Sequence, residues 1–249
     1  MGERIYSHIT MKFSILCPSR SRPNQLLRLI NSLTTHTKNL NEIELLIKLD
    51  LDDKLTPLPN PNWVKTFWGQ RSDYLQKDYY NWLATQSKGD YLWALADDIL
   101  INTHYWDLYL GEKIDLYLKD KPDRIAYIHV EEGTRNITHP CFPLITKESF
   151  KILDMYFHPQ LKSWGADRTL HEIYSHPSIN RVLHVPEISI SHLSYHEGKG
   201  VFDSTSKHIK DRFFEDPDCH NKVSRDIVPK QIEDLAKYIE GVNNGKRME

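Results

Sequence analysis

The 249-residue sequence contains little glycine and no glycine-rich loop. It has ten glycines, and neither a GxGxxG nor a GxxxxGK[ST] pattern occurs in it. In the common nucleotide-binding folds such loops bring backbone N–H groups against phosphates. Their absence argues against those folds as the source of any nucleotide site.

Cysteine is also sparse, and long apolar runs are missing. The three cysteines Cys17, Cys141 and Cys219 are scattered without a CxxC pair, which argues against a disulfide framework and a structural zinc site. A reducing, cytoplasmic compartment is the simpler interpretation. No run approaches the ~20 apolar residues of a membrane span, and the first residues lack the apolar segment of a secretory signal. We expect residues 1–11 to be an extension outside the core fold.

Neither charge sign dominates. The 32 basic and 34 acidic residues give a formal charge of −2, so there is no bulk positive field to hold a nucleic acid. Aromatic residues make up 11% of the chain and include six tryptophans, whose need for burial excludes disorder as the main state. The length suits one sizeable core, and we expect a single domain over residues 1–249.

The first half of the chain alternates between strand and helix patterns. Short apolar runs predict strands at 13–17, 43–49, 64–68, 91–95 and 124–130. Helical spacing predicts helices after a cap at Ser21, after a cap at Ser72 or Asp73, and from about Thr103. This order predicts an α/β fold with a mostly parallel central sheet and helices on both faces.

The second half is less regular. Short strands are predicted at 142–146, 181–185 and 188–191, and helices from about Lys147, near 166–173 and from Pro229. Residues 196–224 are polar and show no clear period. Lys199 or Lys207 in this stretch could reach phosphate from a lid, or the stretch could be a surface loop.

Polar clusters follow three of the predicted strands. They contain Arg20 and Arg22, then Asp50, Asp52 and Asp53, then Asp97 with Asp98. Ligands of parallel sheets bind beyond the carboxyl ends of the strands, so we expect the clusters to share one rim. The arginines could grip phosphate or be surface charges. The acids at 50–53 could contact an ion, a base or a sugar, or serve as turn residues.

The adjacent carboxylates of Asp97 and Asp98 repel each other unless a cation or donors offset the repulsion. A hard divalent ion prefers such oxygens; the alternative is a helix cap beside a solvated acid. His192 directly follows a predicted strand, with His196 nearby, and could reach the same rim. A lone histidine is more often structural, and the thirteen histidines include no HExxH or HxH spacing.

Asp167 follows the Trp164-Gly165 pair and opens a predicted helix. It could be a helix cap without a further role. It could also be a functional carboxylate.

Six motifs in chain order resemble those of the GT-A fold glycosyltransferases, close to glycosyltransferase family 2. They are FSILCPSRSRPNQLLRLINSL, IELLIKLDLDD, KGDYLWALADDI, FPLITKESF, SWGADRTLHEI and VPEISISHLSYH. The resemblance runs from Lys12 to His196. Two departures stand out: the metal motif is Ala-Asp-Asp, and an extra residue leaves open whether Asp50 or Asp52 contacts the base.

The resemblance implies a metal-dependent, inverting glycosyltransferase with a nucleotide-diphosphate sugar donor and a glycan or other hydroxyl acceptor. Residues 12–130 would bind the donor, 131–228 the acceptor, and 229–249 would form a C-terminal helix. Mn²⁺ or Mg²⁺ would be held by Asp98 and His192 with Asp97 beside them. Asp167 would be the general base, with Glu172 the next candidate. The implied nucleotide-binding residues are Pro18, Ser19, Arg20, Arg22, Asp50 or Asp52, Arg71 and Asn81.

Two other classes remain open at this point. A sugar-phosphate nucleotidylyltransferase would have a related sheet, but it would need a glycine-rich loop that the segment after Cys17 lacks. A non-catalytic glycan-binding module would need neither Asp167 nor a metal.

Overall fold

The computed structural model describes residues 13–53, 61–133, 140–162 and 164–245. The expected extension at residues 1–11 lies outside these described residues. Eight strands form one sheet in the order β3-β2-β1-β4-β7-β6-β8-β5. The strands are β1 Phe13–Pro18, β2 Ile43–Asp50, β3 Val64–Gly69, β4 Tyr91–Ala94, β5 Ile99–Ile101, β6 Tyr127–Glu131, β7 Leu144–Thr146 and β8 Val182–His192.

Strands β1 to β4 pair in parallel, and β6 pairs in parallel with β8. The strand β7 lies antiparallel between β4 and β6, and β5 is antiparallel to β8. Six strands therefore run in one direction and two in the other. As a consequence, the carboxyl ends of β1, β2, β4 and β8 meet at one edge of the sheet.

Helices surround this sheet. A π-helix over Leu75–Asn81 leads directly into α2, and short 3₁₀ turns occur at Leu40–Glu42 and Tyr195–Glu197. The α-helices are α1 Pro23–His36, α2 Trp82–Gln86, α3 Trp106–Leu118, α4 Lys147–Leu153, α5 Ala166–Ser175, α6 Ser204–Glu215, α7 Cys219–Asp226 and α8 Val228–Asn243.

The sheet separates two apolar clusters because successive strand residues point to opposite faces. On one face Phe13 and Ile15 pack with residues of α1 and α3. On the other face Leu16 and Leu46 pack with residues of α2, α5 and α8. The predicted α/β fold, with a mostly parallel sheet covered on both faces, is confirmed.

Several local predictions are wrong. The predicted start of a helix at Thr103 moves to Trp106, because residues 99–101 form β5 against β8. The two strands predicted on either side of Pro186 are one strand, β8, whose register against β6 shifts between Val130 and Glu131. Proline lacks a backbone donor and is tolerated at such an irregularity. The polar stretch 196–224 contains α6 and most of α7.

Two predicted helix caps are also wrong. The cap position of α1 is Arg22, while Ser21 has a φ of 55° and its hydroxyl contacts Asp53. Neither Ser72 nor Asp73 caps the π-helix, whose cap position is Tyr74. The Ser72 hydroxyl instead donates to Asp78.

All three cysteines are free thiols. Among the described residues, no helix combines the length and apolar character needed to cross a membrane.

Candidate functional site at the carboxyl edge of the sheet

The carboxyl edge gathers polar side chains from four strands. Ser19 follows β1, Asp50 ends β2, Asp97 follows β4, and His192 ends β8. The strand directions alone bring these four positions to one edge. The shared rim predicted for the three polar clusters is therefore present, and the end of β8 joins it.

Arg20 connects the two acids at the end of β2. Its Nη1 donates to Asp50 Oδ2 and to Asp52 Oδ1, at 2.6 Å each, and its Nη2 donates to Asp52 Oδ2 at 2.9 Å. The hydroxyl of Tyr79 donates to the other oxygen of Asp50. The side chain of Asp50 is 3% exposed, whereas that of Asp52 is 61% exposed. Asp50 is thus held rigidly from two sides, and Asp52 faces solvent.

Arg22 carries a second ion-pair network. Its Nη1 donates to Asp97 Oδ1 at 3.1 Å, and its Nε and Nη2 donate to the two oxygens of Asp203 at 2.7 and 2.8 Å. The hydroxyl of Ser19 donates to Asp97 Oδ2 at 2.6 Å. Burial raises the pKa of Asp97 to about 6, against the opposing effect of Arg22. Both oxygens of Asp97 are thus engaged by protein donors.

Asp98 and His192 form a different kind of pair. His192 Nε2 lies 3.4 Å from Asp98 Oδ1, and this buried oxygen accepts no hydrogen bond. Burial works against ionisation of Asp98, but His192 and Arg22 outweigh it and lower the pKa of the carboxyl. A buried, ionised oxygen without a donor is costly unless a ligand supplies a positive charge or a hydrogen bond.

These residues fit a divalent cation only in part. Asp98 offers an oxygen without a hydrogen bond, the kind of ligand that suits Mn²⁺ and Mg²⁺, and His192 offers an imidazole nitrogen, which is a general ligand of first-row metals. Asp97 is committed to Ser19 and Arg22. In the part of the chain that the structure describes, no group of three or more His, Cys, Asp or Glu side chains is arranged to hold a metal by itself. An ion here would need further oxygen ligands from a bound molecule or water.

Two neighbouring cavities open at this edge. The smaller, about 120 Å³, is lined by residues that include Ser19, Asp50, Tyr79 and Asp97. The larger, about 520 Å³, is lined by residues that include Asp98, His192 and Asp167. The larger volume lies within the usual range for small-molecule sites, roughly 300–1,000 Å³.

Asp167 lies in the first turn of α5, on the wall of the larger cavity. The cap position of this helix is Gly165, at a φ of 92°, and an added Cβ there would lie 3.0 Å from His220. Asp167 therefore does not occupy the cap position, although its Oδ1 accepts a hydrogen bond from the backbone N–H of Arg168 at 2.9 Å. A carboxylate in the first turn is favoured in its ionised form by the helix dipole. Beside it, Trp164 packs edge-on against His196 at 5.2 Å between ring centroids.

The alternative base Glu172 is occupied by other contacts. It accepts a hydrogen bond from Arg168 at 3.1 Å and another from the hydroxyl of Ser224. It does not line the larger cavity, where Asp167 is the carboxylate that the lining contains besides Asp98.

Some predicted residues lie away from the two cavities. Asn81 is engaged within the protein: its side-chain oxygen accepts from the backbone N–H groups of Tyr156 and Phe157, and its nitrogen donates to the Phe157 carbonyl. It lines a separate open groove of about 620 Å³ beside α2. Lys199 and Lys207 line neither cavity, and Lys207 pairs with Asp211.

Other predicted residues do border the cavities. Pro18, Arg20 and Arg71 line the smaller one, and His196 lines the larger one. Asp50 lines the smaller cavity and Asp52 does not. Of the two acids left open by the sequence, Asp50 is the one that borders this cavity.

Sequence reasoning missed two contributors. The patterns in the sequence single out neither Tyr79 nor Asp203. Tyr79 reaches Asp50 because the π-helix places it under the end of β2. An aspartate three residues before Ser206 is a capping pattern, and this signal could have located α6, where Asp203 accepts from Ser206 N at 2.8 Å.

The sequence matches no protein-family model and no curated protein. Solved structures do match its fold. TarS 1–349 of S. aureus in complex with UDP-GlcNAc superposes with a TM-score of 0.55 at 12% identity, covering 96% of this chain and 93% of that one. The mannosyltransferase PcManGT of Pyrobaculum calidifontis, in complex with GDP-Man and Mn²⁺, gives 0.57 at 11% identity, covering 95% and 76%. The chain therefore has a GT-A-like fold, as its motifs suggested.

Proposed function

We propose that this protein is a metal-dependent, inverting glycosyltransferase that moves a sugar from a nucleotide-diphosphate sugar to an acceptor hydroxyl. The observation that carries the proposal is the larger cavity, where the Asp98–His192 pair and the Asp167 carboxylate line one space of about 520 Å³. Similar folds bind UDP-GlcNAc in TarS and GDP-Man with Mn²⁺ in PcManGT. In this proposal residues 12–130 bind the donor and 131–228 the acceptor.

The donor would span both cavities. Its base and ribose would lie in the smaller cavity against Asp50, which Tyr79 and Arg20 hold in place. Arg22 lines both cavities, so the diphosphate would pass its guanidinium. A planar guanidinium binds phosphate oxygens in pairs.

Asp98 and His192 would hold Mn²⁺ or Mg²⁺ together with oxygens of the diphosphate. The ion, when bound, would neutralise negative charge that grows on the leaving diphosphate. The free Asp98 Oδ1 is the protein atom best prepared for this contact.

Asp167 would act as the general base. A sugar hydroxyl is a weak nucleophile near neutral pH, and a positioned base typically contributes ~10²- to 10⁴-fold. The Asp167 carboxylate would take the acceptor proton as the hydroxyl oxygen bonds to the anomeric carbon. The bond from that carbon to the diphosphate would break on the opposite side, which inverts the configuration. Trp164 beside it would offer an apolar surface to the acceptor.

The experiment that tests the proposal is a thermal-shift screen of nucleoside diphosphates with and without Mn²⁺. A ligand that binds only the folded state raises the melting temperature by mass action. We expect one nucleoside diphosphate to stabilise the protein selectively, and Mn²⁺ to increase that shift. Unchanged melting with every nucleotide, in the presence and absence of Mn²⁺, would contradict a nucleotide-sugar donor and would favour a glycan-binding module.

A further inference from the structure

Helix α6 contacts the Arg22 side chain through residues at its amino end. Asp203, at its amino end, accepts two parallel hydrogen bonds from the Arg22 guanidinium, at 2.7 and 2.8 Å. The hydroxyl of Ser206, one turn further, accepts a third at 2.8 Å. The Arg22 side chain is only 11% exposed as a result. The paired N–H donors of the Arg22 guanidinium therefore already bind a carboxylate. They do so in the two-bond arrangement in which they would otherwise bind a phosphate.

Further contacts hold α6 across the opening. Near its start, the hydroxyl of Thr205 donates to the Arg20 carbonyl at 3.1 Å. Near its end, Arg212 Nε lies 3.2 Å from Asp73 Oδ1, and His208 Nε2 lies 3.6 Å from the same oxygen. The helix is thus tied to the segment after β1 and to the segment before the π-helix, which form the two sides of the smaller cavity.

This position makes α6 a wall of both cavities. Thr205, His208 and Arg212 line the smaller one, Ser206 and Phe213 line the larger one, and Ile209 lines both. The smaller cavity holds about 120 Å³ in this arrangement. Sites for ligands of nucleotide size are several times larger, on the order of 300 Å³ or more. The space beside Asp50 is therefore narrow for a nucleoside while α6 stays where it is.

We propose that α6 is a latch over the donor site, and that Asp203 occupies the position on Arg22 that the donor diphosphate takes. The inference rests on the proposed function, because it requires a diphosphate to pass Arg22. When α6 moves away, the donor diphosphate replaces the Asp203 carboxylate on the Arg22 guanidinium. Arg22 is therefore paired with an anion in both the closed and the open state. The apparent affinity for the donor equals the intrinsic affinity multiplied by the fraction of molecules in which the latch is open.

The test is to weaken the latch without removing the helix. Asp203→Asn removes the charge that competes with phosphate, and asparagine still caps a helix well. The matched control is Asp211→Asn on the same helix, which removes an exposed charge that pairs with Lys207. UDP, GDP, ADP, CDP and dTDP are titrated calorimetrically in the presence of Mn²⁺ into wild type and both variants.

We expect Asp203→Asn to bind the preferred nucleoside diphosphate about five- to tenfold more tightly than wild type, and Asp211→Asn to bind it like wild type. Equal affinity in all three proteins would overturn the latch while leaving the proposed function intact. Weaker binding by Asp203→Asn would overturn it too, because Asp203 would then help to hold the donor. Absence of binding in all three would overturn the proposed function together with the latch.

A second measurement does not depend on the variant folding. Hydrogen exchange of wild-type amides is compared with and without the preferred nucleoside diphosphate and Mn²⁺. The latch predicts that exchange changes across residues 204–215, and that the distant helix α8 keeps its protection. Unchanged exchange in α6 on binding would overturn the proposal.

Discussion

Carboxylates are buried at both ends of the parallel strands, but the hydrogen bonding of the carboxylates differs between the two ends. At the amino end Glu44 is bonded by Ser14 and Lys88 N through one oxygen and by Lys65 through the other, so both oxygens have donors from the protein. At the carboxyl end Asp98 keeps a buried oxygen without a hydrogen bond, and it borders a cavity. A buried charge is therefore weak support for a function by itself. A buried carboxylate oxygen that accepts no hydrogen bond and borders a cavity is stronger support for a function.

The largest effect should follow from removing that oxygen. We expect Asp98→Ala to abolish sugar transfer and to remove the Mn²⁺-dependent part of donor binding, because the main anionic ligand of the ion is lost. The variant should still fold, with a small loss of stability, since Asp98 Oδ1 makes no hydrogen bond but the ion pairs of Asp98 with His192 and Arg22 are lost. Transfer assays and donor titrations with and without Mn²⁺ measure both.

Chelation provides an independent check of the same site. Excess chelator should stop transfer by wild type. Full activity under those conditions would contradict both the role of Asp98 and the metal mechanism.

The next largest effect concerns the other wall of the larger cavity. We expect Asp167→Asn to leave donor and Mn²⁺ affinity near normal and to lower turnover by roughly 10²-fold or more, because the shape is kept and the base is lost. Steady-state kinetics beside donor titration separates the two quantities. The matched control is Glu172→Gln in the same helix, whose carboxylate is bonded to Arg168 and Ser224. If Asp167→Asn turned over like wild type, the base would lie elsewhere.

A smaller effect should distinguish the two histidines near the end of β8. His192→Ala should weaken Mn²⁺-assisted donor binding by about tenfold, the equivalent of about 1.4 kcal/mol, since its Nε2 lies beside Asp98. His196→Ala is the control, because that ring packs against Trp164 and Tyr195 instead. A fall in melting temperature with unchanged Mn²⁺ dependence in His192→Ala would mean that His192 is structural. An effect confined to His196→Ala would move the ligand there.

The fold could be predicted from the sequence where apolar runs coincide with strands of the sheet. Apolar runs located β1, β2, β3 and β4 to within a residue or two, because buried parallel strands are continuous apolar segments. The pattern failed at β5, whose three residues are too few to show a period. It failed at β8 because Pro186 looked like a break, whereas a register shift accommodates it.

The site residues that could be predicted from the sequence are those that lie at the ends of strands. Asp50, Asp98 and His192 lie at the ends of parallel strands, and topology alone brings them to one edge. The partner of Arg22 was not predictable in this way. Asp203 is 181 residues further along the chain, and it arrives on a polar helix with no strand to fix its position. Asn81 fitted its motif, but its amide is used to hold the backbone at residues 156 and 157.

The smallest effect on activity should come from the amino end of the strands. Glu44→Gln should destabilise the fold by about 2 kcal/mol, the scale of a charge-assisted hydrogen bond, and leave turnover unchanged, because Glu44 lies at the opposite end from both cavities. Burial opposes ionisation of Glu44, but hydrogen bonds from Lys65, Ser14 and Lys88 N prevail and lower its pKa below 4.5.

The pH dependence of the stability difference between wild type and Glu44→Gln tests whether folding lowers the pKa of Glu44. A carboxyl whose pKa is lowered by folding contributes stability above its unfolded pKa and loses it as the pH falls through its folded pKa. Urea unfolding should therefore show a constant gap between wild type and Glu44→Gln from neutral pH down to about 4.5, and a shrinking gap below. A gap that grew on acidification would mean that Glu44 is held protonated. If the folded Glu44→Gln variant lost turnover at neutral pH, Glu44 would be needed for activity. That result would contradict the proposal that carboxylates at the amino end of the strands serve only stability.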